Sequence, residues 1–287
     1  MSWIVESSLT AFQKFCVNVI KCGPIPKHVA FIMDGNRRYA TKNKVQKAEG
    51  HVKGFDKLSE TLQWCLELGI VEVTVYAFSI ENFKRSSDEV ETLMQLATEK
   101  FRKFLDEEDK IMAHGVCVRI IGNLSLLSEE LQRLIAKVTL MTKDNNKAYL
   151  NVAFAYTSRD EIKNTVETIV EGVRNGSIEI DDIDEDLVSE CLYTSGSPDP
   201  DIIVRTSGEM RLSDFLLWQI SSSQICFSQV LWPEFSIWHL LACVFKYQRC
   251  YPNLKKVETC KVNKNERVQE FLEQLQQQRL AQLKSYI

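Results

Sequence analysis

The sequence has 287 residues, with 35 Lys and Arg against 39 Asp and Glu, and a formal net charge of −4 at neutral pH. At 45% apolar and 26% charged residues it reads as an ordinary folded chain, long enough for one large α/β domain with terminal extensions. The acidic balance argues against a nucleic-acid binder, no stretch reaches the roughly 20 apolar residues of a membrane-spanning helix, and the nine cysteines include no C-x-x-C pair of the zinc-ribbon or thioredoxin kind.

In chain order, residues 1–22 carry Val5, Leu9, Phe12, Cys16 and Val19 at helical spacing, and Gly23-Pro24 stops the pattern. With no basic region ahead of an apolar block, this segment is not expected to be a secretory signal. It reads as an amphipathic helix that either packs on its own domain or lies on a membrane surface or over an apolar channel mouth. From residue 28, short runs rich in β-branched residues at 29–33, 71–78, 116–122, 149–155, 201–205 and 225–231 predict strands. Longer amphipathic patterns at 52–68, 87–113, 128–142 and 159–174 predict helices. This alternation predicts an α/β fold, a mostly parallel central sheet flanked by helices. The acidic run 176–190 reads as a solvated loop and helix start. Residues 250–265 read as a mobile linker. Beyond it, Val268, Leu272, Leu275, Leu280, Leu283 and Ile287 form a stripe that suits a partner helix slightly better than the domain itself.

In such sheets ligands bind beyond the carboxyl ends of the strands. Three polar clusters fall there. In "HVAFIMDGNRRYA", an apolar run ends in Asp34, followed by Gly35, Asn36, Arg37 and Arg38. A carboxylate able to hold Mg²⁺, beside guanidinium and backbone donors, suits a metal-bound diphosphate better than the N-cap of the next helix, the alternative for Asp34 taken alone. "RTSGEMRLS" supplies Arg205, Ser207, Gly208, Arg211 and Ser213, a second anion cradle, in which the planar arginine fork binds phosphate bidentately. "YAFSIENFKRS" contributes Ser79, Glu81, Asn82 and Arg85, of which Arg85 is the better phosphate contact; His51 opens the helix beside the first cluster. Neither a P-loop nor a G-x-G-x-x-G motif is present, so the phosphates are not held as in the common nucleotide folds.

These motifs, with "DIIVRTSGEMRLSDFLLWQ" and "VLWPEF", resemble the cis-prenyltransferase (undecaprenyl diphosphate synthase-like) family, and most of all its eukaryotic dehydrodolichyl diphosphate synthase catalytic subunits, from about residue 24 to 248. The resemblance implies elongation of farnesyl diphosphate by successive isopentenyl diphosphate units to a long polyprenyl diphosphate, for dolichol synthesis and protein glycosylation. It implies that Asp34, with Asn36, is catalytic and that Asp34 binds Mg²⁺. It assigns Gly35, Arg37, Arg38 and Arg85 to the allylic diphosphate, Arg205, Arg211 and Ser213 to isopentenyl diphosphate, and supporting roles to His51, Ser79 and Asn82. The growing chain needs an apolar tunnel, which the helices at 52–68 (Leu62, Trp64, Cys65) and 87–113 (Leu93, Met94, Leu96, Phe101) could line.

Bacterial relatives end in an Arg-x-Gly motif that reaches the paired subunit's active site. This chain closes on "RLAQLKSYI". The resemblance therefore implies a Nogo-B receptor-like non-catalytic subunit supplying that motif, and a peripheral place on the cytosolic face of the endoplasmic reticulum membrane. The bacterial metal-binding glutamate is replaced by Gln224, leaving Asp34 and the phosphates as the expected metal ligands. The expected segments are an N-terminal helix (1–22), a catalytic domain (23–248) and a C-terminal linker and helix for oligomerisation (249–287). The alternatives are a catalytically silent scaffold subunit of the same fold and an aspartate-nucleophile phosphatase. Neither a silent subunit's lack of need for the charged set nor Asn36, standing where such a phosphatase wants a second acid, favours them.

Overall fold

The computed structural model describes residues 3, 9–254 and 265–287. The β-branched runs form β1 (His28–Ile32), β2 (Glu72–Ser79), β3 (Val116–Ile121), β4 (Ala148–Tyr156), β5 (Ile202–Arg205) and β6 (Gln224–Phe227). They make one sheet of order β3-β4-β2-β1-β5-β6, parallel at every pairing. Parallel strands need long crossovers, and the helices that make them cover the faces. Period-2 alternation divides β1 between two cores. Val29 and Phe31 pack with Leu58, Trp64, Phe101, Leu240 and Val244 on one face. Ala30 and Ile32 pack with Phe215, Leu216 and Ile220 on the other.

The helices are α1 (Ala11–Ile20), α2 (Asn36–Asn43), α3 (Lys47–Leu68), α4 (Ser87–Asp106), α5 (Glu108–His114), α6 (Glu129–Thr142), α7 (Ser158–Arg174), α8 (Glu185–Cys191), α9 (Ile237–Cys250) and α10 (Glu266–Ser285). Several depart from the sequence reading. The pattern over 87–113 is two helices, broken at Glu107 within four consecutive acids (106–109) whose mutual repulsion a straight helix would concentrate. The last strand stops at Phe227 rather than 231: after a final ladder bond from Ser228 N to Arg205 O (2.8 Å), the chain bends at Gln229 and Val230. At the N-terminus the helix begins only at Ala11, where Thr10 and Gln13 form a reciprocal capping box. The rest of the segment expected to be helical, residues 1, 2 and 4–8, lies outside the described residues, as does 255–264 of the expected linker.

Two terminal features are resolved more sharply. Trp3 is buried against Phe55 and Phe104, and its indole donates to Lys100 O (3.0 Å). The first half of the α10 stripe that suggested a partner helix is buried within the chain: Val268 and Leu275, with Leu272 partly buried and Phe271 beside them, pack with Ile169, Ile178 and Leu187. Arg267 pairs with Asp182 beside this contact (2.9 Å).

Candidate active site

The site grows out of the carboxyl ends of β1, β2 and β5. Ile32 is paired with Tyr76 on one side and with Arg205 on the other. Two residues past Ile32 the chain must leave the sheet and start α2. Gly35 makes that turn at φ +112°, a conformation few L-residues tolerate, and a Cβ there would lie 3.1 Å from the Leu231 backbone. As N-cap of α2 it offers no side-chain cap, so the first-turn N–H groups are left free to bind an anion. The segment is clamped from below: Trp232 N donates to Asp34 O (3.0 Å) and the Trp232 indole to Gly54 O (2.7 Å). This is the structural work of the "VLWPEF" motif. Gly54 on α3 lets α2 come close, since a Cβ there would sit 2.4 Å from Asn36 Oδ1.

The register brings the two cradles together. Arg205 is buried, and its Nη2 donates to Asp34 Oδ2 (2.9 Å) across 171 residues of sequence. Its Nη1 donates to Ser213 Oγ (2.6 Å) and to Arg211 O, while its Nε is buried without a hydrogen-bond partner among the described residues. Arg38 bridges the same clusters, donating to Ser207 Oγ (2.5 Å) and lying 3.7 Å from Asp34 and 3.6 Å from Glu209. Partial burial alone would raise the pKa of Asp34. The Arg205 hydrogen bond and charge, with the Gly35 N–H and Arg38, overcome it and hold the carboxyl below its ordinary range, so it is ionised at neutral pH.

On the β2 side, Ser79 and Asn82 interlock: Ser79 N donates to Asn82 Oδ1 (3.1 Å), and Ser79 Oγ accepts from Glu81 N (3.2 Å). This stiff turn aims Arg85, whose Nη1 meets Glu89 (2.8 Å). Glu89 also faces Arg37 (3.6 Å) and Lys47 (3.7 Å). Burial and the nearby Arg85 and Arg37 charges lower the pKa of His51 to about 4, so it is a neutral imidazole; its Nε2 is buried without a hydrogen-bond partner among the described residues.

The twelve residues given catalytic, binding or supporting roles in the sequence line one open cavity of about 970 Å³; Ser207 and Gly208 of the second cradle are not on its wall, although Ser207 Oγ accepts from Arg38. Its wall carries seven Arg and Lys against four Asp and Glu, in a chain whose net charge is negative. That local inversion favours an anionic ligand. Among the described residues no group of three or more His, Cys, Asp or Glu is arranged to hold a metal. A metal at Asp34 would therefore take most of its ligands from phosphate oxygens and water, which is the habit of Mg²⁺; the lone, ionised, partly exposed carboxylate fits that ion.

The cavity opens inward. Met33, Asn36, His51 and Leu93 also line a narrower apolar space of about 140 Å³ that continues past Phe55, Leu96, Phe101 and Phe154 to Trp3. Of the side chains expected along a tunnel, Leu93, Leu96 and Phe101 are on this wall. Leu62 and Cys65 line a separate apolar cavity of about 60 Å³ that also touches Trp3, and Trp64 is packed in the core. Gln224 is not on the cavity wall. It starts β6 and pairs with Ile202, three residues back from the rim.

Sequence reasoning missed Glu89, Glu209, Lys47, Arg159 and Asp214. Glu89 stands four residues after Arg85 on an amphipathic helix, and that spacing was the available signal for it. Arg159, in the first turn of α7, and Asp214, in the β5–β6 connection, face each other on the cavity wall (3.8 Å) from points far apart in sequence.

A family model described as "Putative undecaprenyl diphosphate synthase" matches residues 32–253. The chain is 54% identical over 269 residues to the human "Dehydrodolichyl diphosphate synthase complex subunit DHDDS", covering 94% of this chain and 81% of the human one. It is 42% identical over 245 residues to a Schizosaccharomyces pombe dehydrodolichyl diphosphate synthase complex subunit, covering 85% and 93%. Among solved structures it resembles lavandulyl diphosphate synthase from Lavandula x intermedia in complex with dimethylallyl diphosphate, with a TM-score of 0.74 and 32% identity over 78% of this chain and 95% of that one. With its site residues gathered at one rim and these similarities over most of its length, the chain belongs to the undecaprenyl diphosphate synthase family of prenyltransferases.

Proposed function

We propose that the chain is the catalytic subunit of a cis-prenyltransferase that extends farnesyl diphosphate with isopentenyl diphosphate to a long polyprenyl diphosphate of the dehydrodolichyl type. The observation that carries this reading is the single cavity in which Asp34 and Arg205 join two cation-rich cradles and from which an apolar passage leads inward. Arg37, Arg38, Arg85 and the free N–H groups of α2 hold the allylic diphosphate. Arg205, Arg211 and Ser213 hold isopentenyl diphosphate. The Glu89 carboxylate keeps Arg85 and Arg37 folded toward the cavity until a diphosphate takes its place.

As the allylic C–O bond breaks, negative charge grows on the departing diphosphate, and the fixed guanidinium and backbone donors stabilise that charge better than the ground state. Asp34 is the residue that would hold Mg²⁺, which when bound supplies further charge neutralisation on the diphosphate. Asn36 orients the reacting end, and alignment of both substrates turns a two-body encounter into a positioned reaction. The new chain threads between α3 and α4.

A Nogo-B receptor-like subunit is proposed to complete the site. Ile225 and Phe227 on the edge strand β6, and Trp238 and Phe245 on α9, remain exposed and offer a surface for it. Phe12, Phe15 and Val19 of α1 are 66%, 61% and 54% exposed. They support a peripheral position on a membrane surface, proposed as the cytosolic face of the endoplasmic reticulum. No helix among the described residues is long and apolar enough to span a membrane.

The test is incorporation of radiolabelled isopentenyl diphosphate into farnesyl diphosphate with Mg²⁺, by the chain alone and with its partner. Long-chain product, much increased by the partner, is expected. Absence of any elongated product from the assembled complex would overturn the reading.

A further inference from the structure

Beneath the isopentenyl cradle lies a buried polar network that the reaction itself does not use. The cradle's outer loop is in an unfavourable conformation: Ser213, Asp214 and Leu216 all have positive φ (51°, 59° and 49°), although none is glycine. Such a loop persists only where its surroundings over-determine it. Three attachments hold it. Tyr76 Oη donates to Ser213 O (3.2 Å), Ser158 N donates to Asp214 O (2.8 Å), and Leu217 N donates to Ser158 Oγ (2.8 Å).

The attachments converge on one acid. Glu161, in the first turn of α7, is fully buried. Its Oε2 accepts from Tyr156 Oη (2.5 Å) and from Gln219 Nε2 (3.0 Å), and its Oε1 from Thr194 N (3.3 Å). Tyr156 Oη lies 3.3 Å from Ser158 Oγ, and Gln219 closes the far end of the loop. No cation pairs directly with Glu161 in the described structure, so its position is explained by these donors rather than by an ion pair. An unpaired acid at full burial is costly to keep unless it organises something.

We propose that Glu161 is a positioning residue: it holds the left-handed Ser213–Leu216 turn through Tyr156, Ser158 and Gln219, so that the Ser213 hydroxyl stays where Arg205 and a bound homoallylic diphosphate can both use it. The inference rests on the assignment of that cradle to isopentenyl diphosphate. Loosening the turn costs binding at this cradle and leaves the allylic cradle, built on α2 and the Ser79–Arg85 turn, untouched.

The test measures KM for each substrate and kcat in the assembled complex, with the thermal midpoint as a check on folding. Glu161→Ala is expected to raise KM for isopentenyl diphosphate at least tenfold and to leave KM for farnesyl diphosphate within twofold. Glu161→Gln, whose single side-chain oxygen can still accept from Tyr156 and Gln219 but whose amide nitrogen no longer accepts from Thr194 N, should recover part of that loss. Tyr156→Phe removes a single hydroxyl, is the variant most certain to fold, and should shift the same constant in the same direction. Ser213→Ala is the control: if it leaves KM for isopentenyl diphosphate unchanged, the cradle assignment itself fails. If Ser213→Ala raises that constant but folded Glu161→Ala and Tyr156→Phe leave it unchanged, or lower only kcat, the positioning role is overturned and the cradle assignment stands.

Discussion

Replacement of Arg205 by lysine is the sharpest probe of the joined cradles, because it keeps the charge and removes the fork. The guanidinium makes three contacts from a buried position: Asp34 Oδ2 at 2.9 Å, Ser213 Oγ at 2.6 Å and the Arg211 carbonyl. A lysine ammonium on a shorter reach satisfies one of these directions and abandons two. Hydrogen bonds involving a charged group contribute about 1.5–3 kcal/mol each. Losing two at the lower figure gives about 3 kcal/mol, or roughly a 100-fold fall in kcat/KM for isopentenyl diphosphate at 1.4 kcal/mol per decade. The assay is initial-rate incorporation of labelled isopentenyl diphosphate at saturating farnesyl diphosphate, with circular dichroism to confirm the fold. A loss of less than threefold in a folded variant would refute the claim that this fork organises both diphosphates.

Asp34→Asn removes the ionised carboxylate and should lower kcat by about 10²–10³, the scale for deleting one electrostatic stabiliser, with the thermal midpoint little changed; near-normal turnover would remove Asp34 from the metal site. Gly54→Ala would place a methyl group 2.4 Å from Asn36 Oδ1; since a misplacement of about 1 Å can cost about 100-fold, kcat should drop at least tenfold, and an unaltered rate would mean that Asn36 does not orient substrate. His51 has its pKa depressed to about 4, so the unfolded chain takes up the proton first. Stability should therefore fall as pH drops from about 6.5 toward 4, and His51→Gln should flatten that decline; denaturant midpoints with identical pH slopes in both proteins would contradict the assignment.

Much of the fold was legible because parallel strands buried on both faces write themselves as short β-branched runs, as at Val29–Ile32 and Ile202–Val204. The site was legible for the related reason that polar residues closing such runs fall at one sheet edge. What one dimension hides is register. Asp34 and Arg205 read as members of two separate cradles, and only the pairing of Ile32 with Arg205 turns them into neighbours. Helix α2 was overlooked because its residues are the polar motif itself. Helix α9 was overlooked although Ile237, Leu240, Leu241, Val244 and Tyr247 recur at helical spacing, because the exposed Trp238 and Phe245 in "IWHLLACVFKY" carry the apolar pattern round to the other face. The stripe of α10 could not announce whether α7 and α8 or another chain would cover it, since both solutions bury the same side chains. The network under Ser213 left no local mark either: Glu161 reads as an ordinary first-turn acid until burial shows it facing inward.

The central claim is that two diphosphates bind side by side at the carboxyl edge of β1 and β5. A crystal structure with isopentenyl diphosphate, Mg²⁺ and the unreactive thiodiphosphate analogue of farnesyl diphosphate tests it most directly. The account predicts one diphosphate on the first turn of α2 with Arg37, Arg38 and Arg85, a second on Arg205, Arg211 and Ser213, and Asp34 between them. Density for either diphosphate at another surface, or for only one diphosphate shared by both clusters at saturation, would contradict it.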